Sequence, residues 1–353
     1  MATAEPHGPA KRNPDNPMKA EKILLDHGSG GKVAHRLTAE LLLPAFDNPA
    51  LASLDDGAML KVAGGRLAFS TDTYVVDPIF FPGGGIGDLA VNGTVNDVAM
   101  CGGRPLYLSV GLIIEEGFAM ADLERVVAQM SRAAAVAGVS VVTGDTKVVP
   151  RGAADKIFIN TAGIGVVAEN VHVSGSNARP GDAVLLSGTM ADHGMAILTQ
   201  RQGLAFESDI CSDSAPLNHM VADMLATGCD IHVLRDPTRG GVGTTLNEIA
   251  GQSRAGIRID ETRLPVHPAV AAVCDLLGFD PLYVANEGKL LALVPADQAE
   301  RVLAAMRKSP YGRDACIIGE VVDDHPGRVY MKTRIGGERV VDMLTGEQLP
   351  RIC

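Results

Sequence analysis

Short apolar runs bounded by turn residues alternate along most of this chain with segments whose apolar residues recur every three or four positions. That alternation restricts the chain to a mixed α/β architecture. Residues 66–70, 156–167, 182–186, 289–294 and 315–322 are apolar or β-branched and read as strands. The run 106–114 is interrupted by Ser and Gly and also fits a buried strand, being far short of the roughly 20 residues a membrane span needs. Leu123, Val126, Val127, Met130 and Ala134 form a helical stripe that Gly138 closes. Leu217, Val221, Met224 and Leu225 form a second, closed by Gly228, and Val302, Leu303 and Met306 a third, running toward Ser309-Pro310.

A length of 353 residues suits two domains. The small, turn-rich stretch 174–181 lies between two strand-like blocks and is the expected seam. It divides an N-terminal domain, 45–173, from a C-terminal α/β domain, 174–336. Residues 1–20, rich in Pro, Asn and charge, read as a disordered lead-in, and 21–44 as a glycine-rich mobile segment. Beyond Gly336-Gly337 the chain is expected to run out as a flexible tail, 337–353, with the ending Leu-Pro-Arg-Ile-Cys.

Charge narrows the partners. With 42 acidic against 31 basic residues the net charge is −11, which argues against nucleic acid or an anionic membrane as the main partner. It leaves room for a small anion held through a divalent cation. Aromatic residues make up only 4% and Trp is absent, so stacking platforms for bases are disfavoured. No two of the six cysteines form a CxxC pair, which removes the usual zinc pattern and fits a reducing cytoplasm.

Several segments have the composition of reacting sites. His27-Gly28-Ser29-Gly30-Gly31-Lys32 is either a flexible turn or a loop whose backbone N–H groups approach phosphate, with Lys32 adding a point charge. It matches neither standard nucleotide fingerprint. Acidic residues stand at strand ends or beside glycines in Asp55-Asp56-Gly57, Thr71-Asp72-Thr73, Asn96-Asp97, Gly144-Asp145-Thr146 and Arg235-Asp236-Pro237. Singly, each reads as a turn or cap residue. Converging, they would require a cation, and Mg²⁺ bridges oxygen ligands to nucleotide phosphates. Lys147, after Thr146, follows the apolar run 139–142 either as a charge stabiliser or as a solvated lysine. The Gly-rich turn after Asp236 leads into a helical stretch and suits an anion. Glu287 precedes an apolar strand, as a general base or a surface residue. Cys353, the last residue, sits where an exposed thiol is mobile. A fully extended arm from Gly337 would reach about 53–58 Å, so a terminal thiol there looks like a carrier.

Together these residues resemble one family, the HypE hydrogenase maturation proteins. The matching segments are HGSGGK (27–32), DDGA (55–58), STDTYVVDPIFFPGG (70–84), NGTVNDVAM (92–100), VTGDTKVVPRGAADK (142–156), RDPTRGGV (235–242), ANEGKL (285–290) and the terminal PRIC. They span the chain from about residue 23 to its end. The parent superfamily includes aminoimidazole ribonucleotide and selenophosphate synthetases. The resemblance implies two mixed α/β domains of the PurM-like type, with N-terminal domains pairing in a homodimer, and ATP and Mg²⁺ in the cleft between domains. It places metal on Asp56, Asp72, Asp97 and Asp236. The nucleotide falls to Gly28, Ser29, Gly30, Gly31, Lys32, Asn96, Gly144, Asp145 and Thr146. It implies a carbamoyltransferase partner, HypF, that loads Cys353, ATP-dependent dehydration of the S-carbamoyl group to a thiocyanate, and delivery of cyanide to iron on a HypC–HypD scaffold. On this reading Glu287 is the base and Lys147 stabilises charge. The rival readings are another ATP-dependent synthetase of the superfamily, of selenophosphate or thiamine-phosphate type, and a non-catalytic thiol carrier. No Cys in the 27–32 loop and no need for a terminal thiol weigh against the first. The acidic segments weigh against the second.

Overall fold

A computed structural model describes residues 31–42, 53–62, 65–201, 210–346, 348–349 and 351–353. The first part contains α1 (Lys32–Leu37), continued by a π-helical turn (Thr38–Leu42), then β1 (Ala58–Val62), β2 (Gly65–Tyr74), β3 (Phe80–Phe81), β4 (Gly84–Gly85), α2 (Ile86–Met100), β5 (Gly103–Glu115), α3 (Met120–Ala137), β6 (Ser140–Val149) and β7 (Ile157–Val167). The second contains β8 (Asp182–Leu186), α4 (Asp192–Arg201), α5 (Asn218–Leu225), β9 (Val233–Arg235), α6 (Gly241–Ser253) and β10 (Gly256–Asp260). It continues through α7 (Pro268–Leu277), β11 (Leu291–Pro295), α8 (Ala299–Met306), β12 (Cys316–Val322), β13 (Val329–Lys332) and β14 (Glu338–Val341). The first sheet has the order β1-β2-β7-β5-β6, the second β14-β13-β10-β12-β8-β11-β9, and β3 and β4 form a separate hairpin. Each sheet has one parallel pair, β5 with β6 and β10 with β13, among antiparallel neighbours. This is the two-domain mixed α/β fold expected. Among the described residues no helix is long and apolar enough to cross a membrane.

Strands and helices form where the local pattern directs them. α3 keeps Val126, Met130, Ala133 and Ala134 on its buried side and ends at Gly138 in the left-handed region (φ 71°), the usual C-terminal signal. α2 behaves differently, because it is buried on almost every side, polar residues included. A helix that is covered all round shows no apolar stripe, so its sequence carries no helical period. This is why Asn96-Asp97, expected at a strand end, lies within a helix instead. Its covering comes from both halves of the chain. Asn96 Nδ2 donates to the Ala215 carbonyl at 3.0 Å, and Asn96 Oδ1 accepts the Leu217 N–H at 2.8 Å. Asn92 donates to Ser214 at 3.1 Å.

Three other expectations shift. β2 continues past Ser70 to Tyr74, so Asp72 stands within a strand, paired opposite Thr161 of β7. Residues 143–147, expected as a turn after a strand, are inside β6, aligned with β5 from Ser109 to Ile113. Residues 338–341, expected in the tail, are β14 of the second sheet. The tail does not hang free either. The Val75 N–H donates to the Cys353 carbonyl at 2.9 Å and the Asp77 N–H to that of Arg351 at 3.2 Å, adding the last residues antiparallel to the segment after β2. Within the stretch expected to be mobile, residues 32–42 are helical.

The α2–α3 crossing is close enough that a Cβ at Gly87 would lie 2.4 Å from the Val126 carbonyl oxygen. Gly87→Ala is therefore expected to destabilise by about 1–3 kcal/mol through overpacking, less whatever the helical preference of Ala returns. An unchanged urea midpoint would show that the helices move apart without cost.

Candidate active site

Three nearby segments of the first half and one of the second bring carboxylates together. Asp56 precedes β1, Asp72 lies in β2, Asp97 in α2, and Asp236 directly follows β9. Burial pushes the Asp97 carboxyl well above its usual range, and Asp236, Asp72 and Asp56 add like charge in the same direction, against one hydrogen bond from Ser70 Oγ at 2.7 Å. Burial also raises Asp56, against the pull of Arg235, with Asp236 and Glu248 adding to the rise. Asp236 is pushed up to about 6, burial again leading and Arg235 opposing. Asp72 is raised by burial against Arg239 and the Thr73 N–H. These carboxylates are thus held short of the positive charge they need.

One cation in the cluster is already committed. Arg235 Nε approaches Asp56 Oδ2 at 2.9 Å, a contact too bent to count as a hydrogen bond for either atom, and its Nη2 donates to Glu248. Glu248 in turn bonds His35 of α1 at 2.8 Å, and this pulls the His35 pKa up. Among the described residues no three His, Cys, Asp or Glu close into a set that would hold a metal ion alone. The expected quartet is therefore a like-charged cluster, not a complete cage.

Glu287 and Cys353 complete the site. Glu287 sits in the tight link before β11, where a Cβ at Gly288 would lie 1.8 Å from the Asp213 carbonyl oxygen, so only glycine permits that approach. The Glu287 N–H donates to Asp213 Oδ1 at 3.0 Å. Its side chain is 4% exposed and Oε1 has no hydrogen-bond partner. Burial raises its pKa well above normal, with Asp72, Asp213 and Asp236 adding to the rise and Arg239 opposing it. The Cys353 thiol lies within hydrogen-bonding reach of this carboxyl. Burial pushes that thiol strongly up against the opposing pull of Arg239, with Glu287 and Asp72 adding to the rise, so the docked sulfur keeps its proton.

The remaining expected residues divide. Asn96 is buried at the seam, spent on the backbone of 215–217. Lys32 is exposed and pairs with Asp342 at 2.8 Å. Gly31 begins the described residues, and Gly28, Ser29 and Gly30 lie outside them. Gly144, Asp145, Thr146 and Lys147 do not join the cluster: Lys147 pairs with Asp145 at 3.2 Å, both 72% exposed, on edge strand β6. Sequence reasoning placed them in a phosphate turn because Gly and Thr after an apolar run look like one. Arg239 was missed as a partner of Cys353 and Asp72, although the RDPTRGG segment contains it; a basic residue in a glycine turn was the available signal.

The two halves of the chain match the AIR synthase related protein family, the N-terminal domain at residues 54–167 and the C-terminal domain at 179–332. Carbamoyl dehydratase HypE of Cupriavidus necator is 55% identical over 337 residues, which cover 95% of this chain and 96% of that protein. The chain belongs to the HypE family of carbamoyl dehydratases. A solved HypE in complex with ATP is 57% identical and superposes with a TM-score of 0.80, covering 94% of this chain and all (100%) of that one. A HypE–HypF complex is 48% identical, with a TM-score of 0.83 over 87% of this chain and 99% of that one. The buried carboxylates, Glu287 and Cys353 are therefore read within HypE chemistry.

Carboxyls whose folded pKa is raised contribute stability below their unfolded pKa and lose it as pH rises through the folded value. For Asp236 the window runs from its ordinary 3.8 to about 6. Without divalent cation, the wild type is expected to lose more thermal stability between pH 4 and pH 6 than Asp236→Asn does. Parallel melting curves for the two proteins would show that Asp236 carries no such strain.

Proposed function

We propose that this chain dehydrates an S-carbamoyl group on its own Cys353 to a thiocyanate, using ATP, as a step in making the cyanide ligand of [NiFe]-hydrogenase iron. The observation that carries this reading is the docking of the last residues by their main chain, which brings the terminal thiol within the electrostatic influence of the buried Glu287, whose Oε1 has no hydrogen-bond partner. A carrier that merely displays its thiol needs no base at the docked position.

The carbamoyl oxygen is a poor leaving group. Attack of that oxygen on the γ-phosphorus of ATP releases ADP and converts it to a phosphate ester, which leaves as inorganic phosphate while the nitrogen forms the C≡N bond. Two nitrogen protons are lost in all, one as the amide becomes an imidate and one as phosphate departs. Glu287, buried and with Oε1 lacking a hydrogen-bond partner, is the group placed to accept them. The step requires a site that keeps out water, which would hydrolyse the activated group. Arg239 faces Asp72 and Cys353 and offsets charge developing on the cargo. Asp56, Asp72, Asp97 and Asp236 would hold a divalent ion, because burial and like charge among them raise their carboxyl pKa values and Arg235 and Arg239 offset only part of the charge. Mg²⁺ held there would supply charge neutralisation for nucleotide phosphates.

The docked thiol, protonated and partly buried, is a poor nucleophile. Carbamoyl loading by HypF therefore takes place with the tail out of the crevice, and dehydration with it in. The cyano group then passes to iron on HypC–HypD. Six free cysteines fit a cytoplasmic setting.

The first sheet also supports a homodimer. Leu60, Leu67 and Val166 form one cross-strand row on its outer face, and Phe69, Ile164 and Tyr107 the next. Phe69 is 41% exposed and Tyr107 50%, so the rows lie open to a second copy. β6 flanks that face, and we assign Gly144, Asp145, Thr146 and Lys147 to the nucleotide of the partner protomer.

Glu287→Gln is expected to slow conversion of carbamoylated chain to thiocyanate by a hundredfold or more, on the order of removing a general base, while ATP binding changes little. Intact mass after ATP addition follows the loss of one water, and a wild-type rate in the variant would remove Glu287 from the mechanism. Phe69→Asp is expected to shift the solution mass from dimer to monomer in light scattering. A variant that stayed dimeric would place the interface elsewhere.

A further inference from the structure

Arg351, Ile352 and Cys353 are held mainly through their main chain. From the second half of the molecule, Arg201 of α4 donates from Nε to the Asp77 carbonyl and from Nη2 to that of Arg351, each at 2.7 Å. Arg351 also forms an ion pair with Asp155. The Ile352 side chain is 5% exposed and packs in the first-half core with Ile197 and Ala285. Between these two holds lies His193, at the start of α4 and fully buried (0% exposed). Its Nε2 meets the Ile352 carbonyl at 2.7 Å, and its Nδ1 meets Ser212 Oγ at 2.8 Å.

The chemistry of the partners fixes the proton. A carbonyl oxygen only accepts, so Nε2 carries hydrogen, and Nδ1 of the neutral ring accepts from the Ser212 hydroxyl. Burial lowers the His193 pKa against Asp213 and the Ile352 bond, in keeping with a neutral ring. Ser212 is itself fixed, its N–H donating to the Pro82 carbonyl at 2.8 Å. Phe81 meets the imidazole edge-on at 5.6 Å. The donor aimed at Ile352 is thus rigid, and the residue it holds is the one before the reacting sulfur.

We propose that His193 is a positioning residue for the dehydration, latching the Ile352 carbonyl so that the Cys353 sulfur comes to rest against Glu287. This rests on the reading of Cys353 as the carrier. When the tail leaves, the buried Nε2–H loses its partner, which biases the arm toward return. The latch reads only backbone, so it fixes register without touching the cargo.

The full-length chain, carbamoylated and given Mg²⁺ and ATP, is compared as wild type, His193→Ala and His193→Gln. Two readouts are taken: loss of one water by intact mass in a single turnover, and iodoacetamide labelling of Cys353 before carbamoylation, mapped by peptide. His193→Ala is expected to dehydrate about tenfold more slowly and to label Cys353 about tenfold faster, the factor that about 1.4 kcal/mol represents. ATP affinity and the labelling of buried Cys101 and Cys274 stay unchanged, which general loosening of the fold would not allow. His193→Gln, whose amide presents a donor in the same place, is expected to recover most of both. Wild-type dehydration and labelling in His193→Ala, or Cys101 and Cys274 rising with Cys353, would overturn the latch. A wild-type chain that never loses water would instead refute the proposed reaction, while the labelling comparison still decides the latch. If His193→Ala does not fold, Ser212→Ala, which removes the donor to Nδ1, is expected to shift both readouts in the same direction, and no shift would overturn the proposal.

Discussion

Asp56, Asp72, Asp97 and Asp236 come from four separate segments, and burying their carboxylates together is costly unless positive charge meets them. The fold supplies part of it. Arg235 lies against Asp56 and Glu248, and Arg239 opposes the negative charge of Asp72 and Glu287. On the proposed reading, the remainder comes from a ligand that brings its own cation. A net charge of −11 is compatible with such a ligand, because an ion carried with a nucleotide would relieve charge the protein has already concentrated.

That arrangement depends on α2. It carries Asp97 toward the cluster and Asn92 and Asn96 toward the segment 214–217, so one helix both bears a carboxylate and binds the two halves together. Close approach at Gly93, where a Cβ would lie 2.3 Å from the Tyr74 hydroxyl, brings β2 and its Asp72 against the same helix. The distance between the halves is set by packing at this seam rather than by a linker.

The terminal residues enter this frame as a guest strand. Backbone donors at Val75 and Asp77 and side-chain donors at His193 and Arg201 take their carbonyls, while the sulfur faces Glu287. Main-chain recognition suits the arm movement proposed above, because the arm's own carbonyls regain hydrogen bonds from water while the buried His193 donor does not. Burial raises the thiol pKa, which on the proposed reading separates the chemistry of loading from that of dehydration within one polypeptide.

The sequence by itself determined the mixed α/β class, the strands at 157–167, 182–186 and 316–322, and the capped helix ending at Gly138, and it singled out the four aspartates, Glu287 and Cys353 as candidates. Each depends on local period, turn chemistry or chain position, and those are written residue by residue. Only the tertiary structure decided that 86–100 is a helix, since burial on all sides erases its period. It alone placed Thr143–Lys147 in an edge strand, because Gly and Thr suit a phosphate turn and a strand equally well until a neighbour supplies hydrogen bonds. The docking of the tail was likewise beyond local reading. The partners of Arg351 and Ile352 lie 150 or more residues away, at Asp155, His193 and Arg201, and no local pattern encodes such contacts.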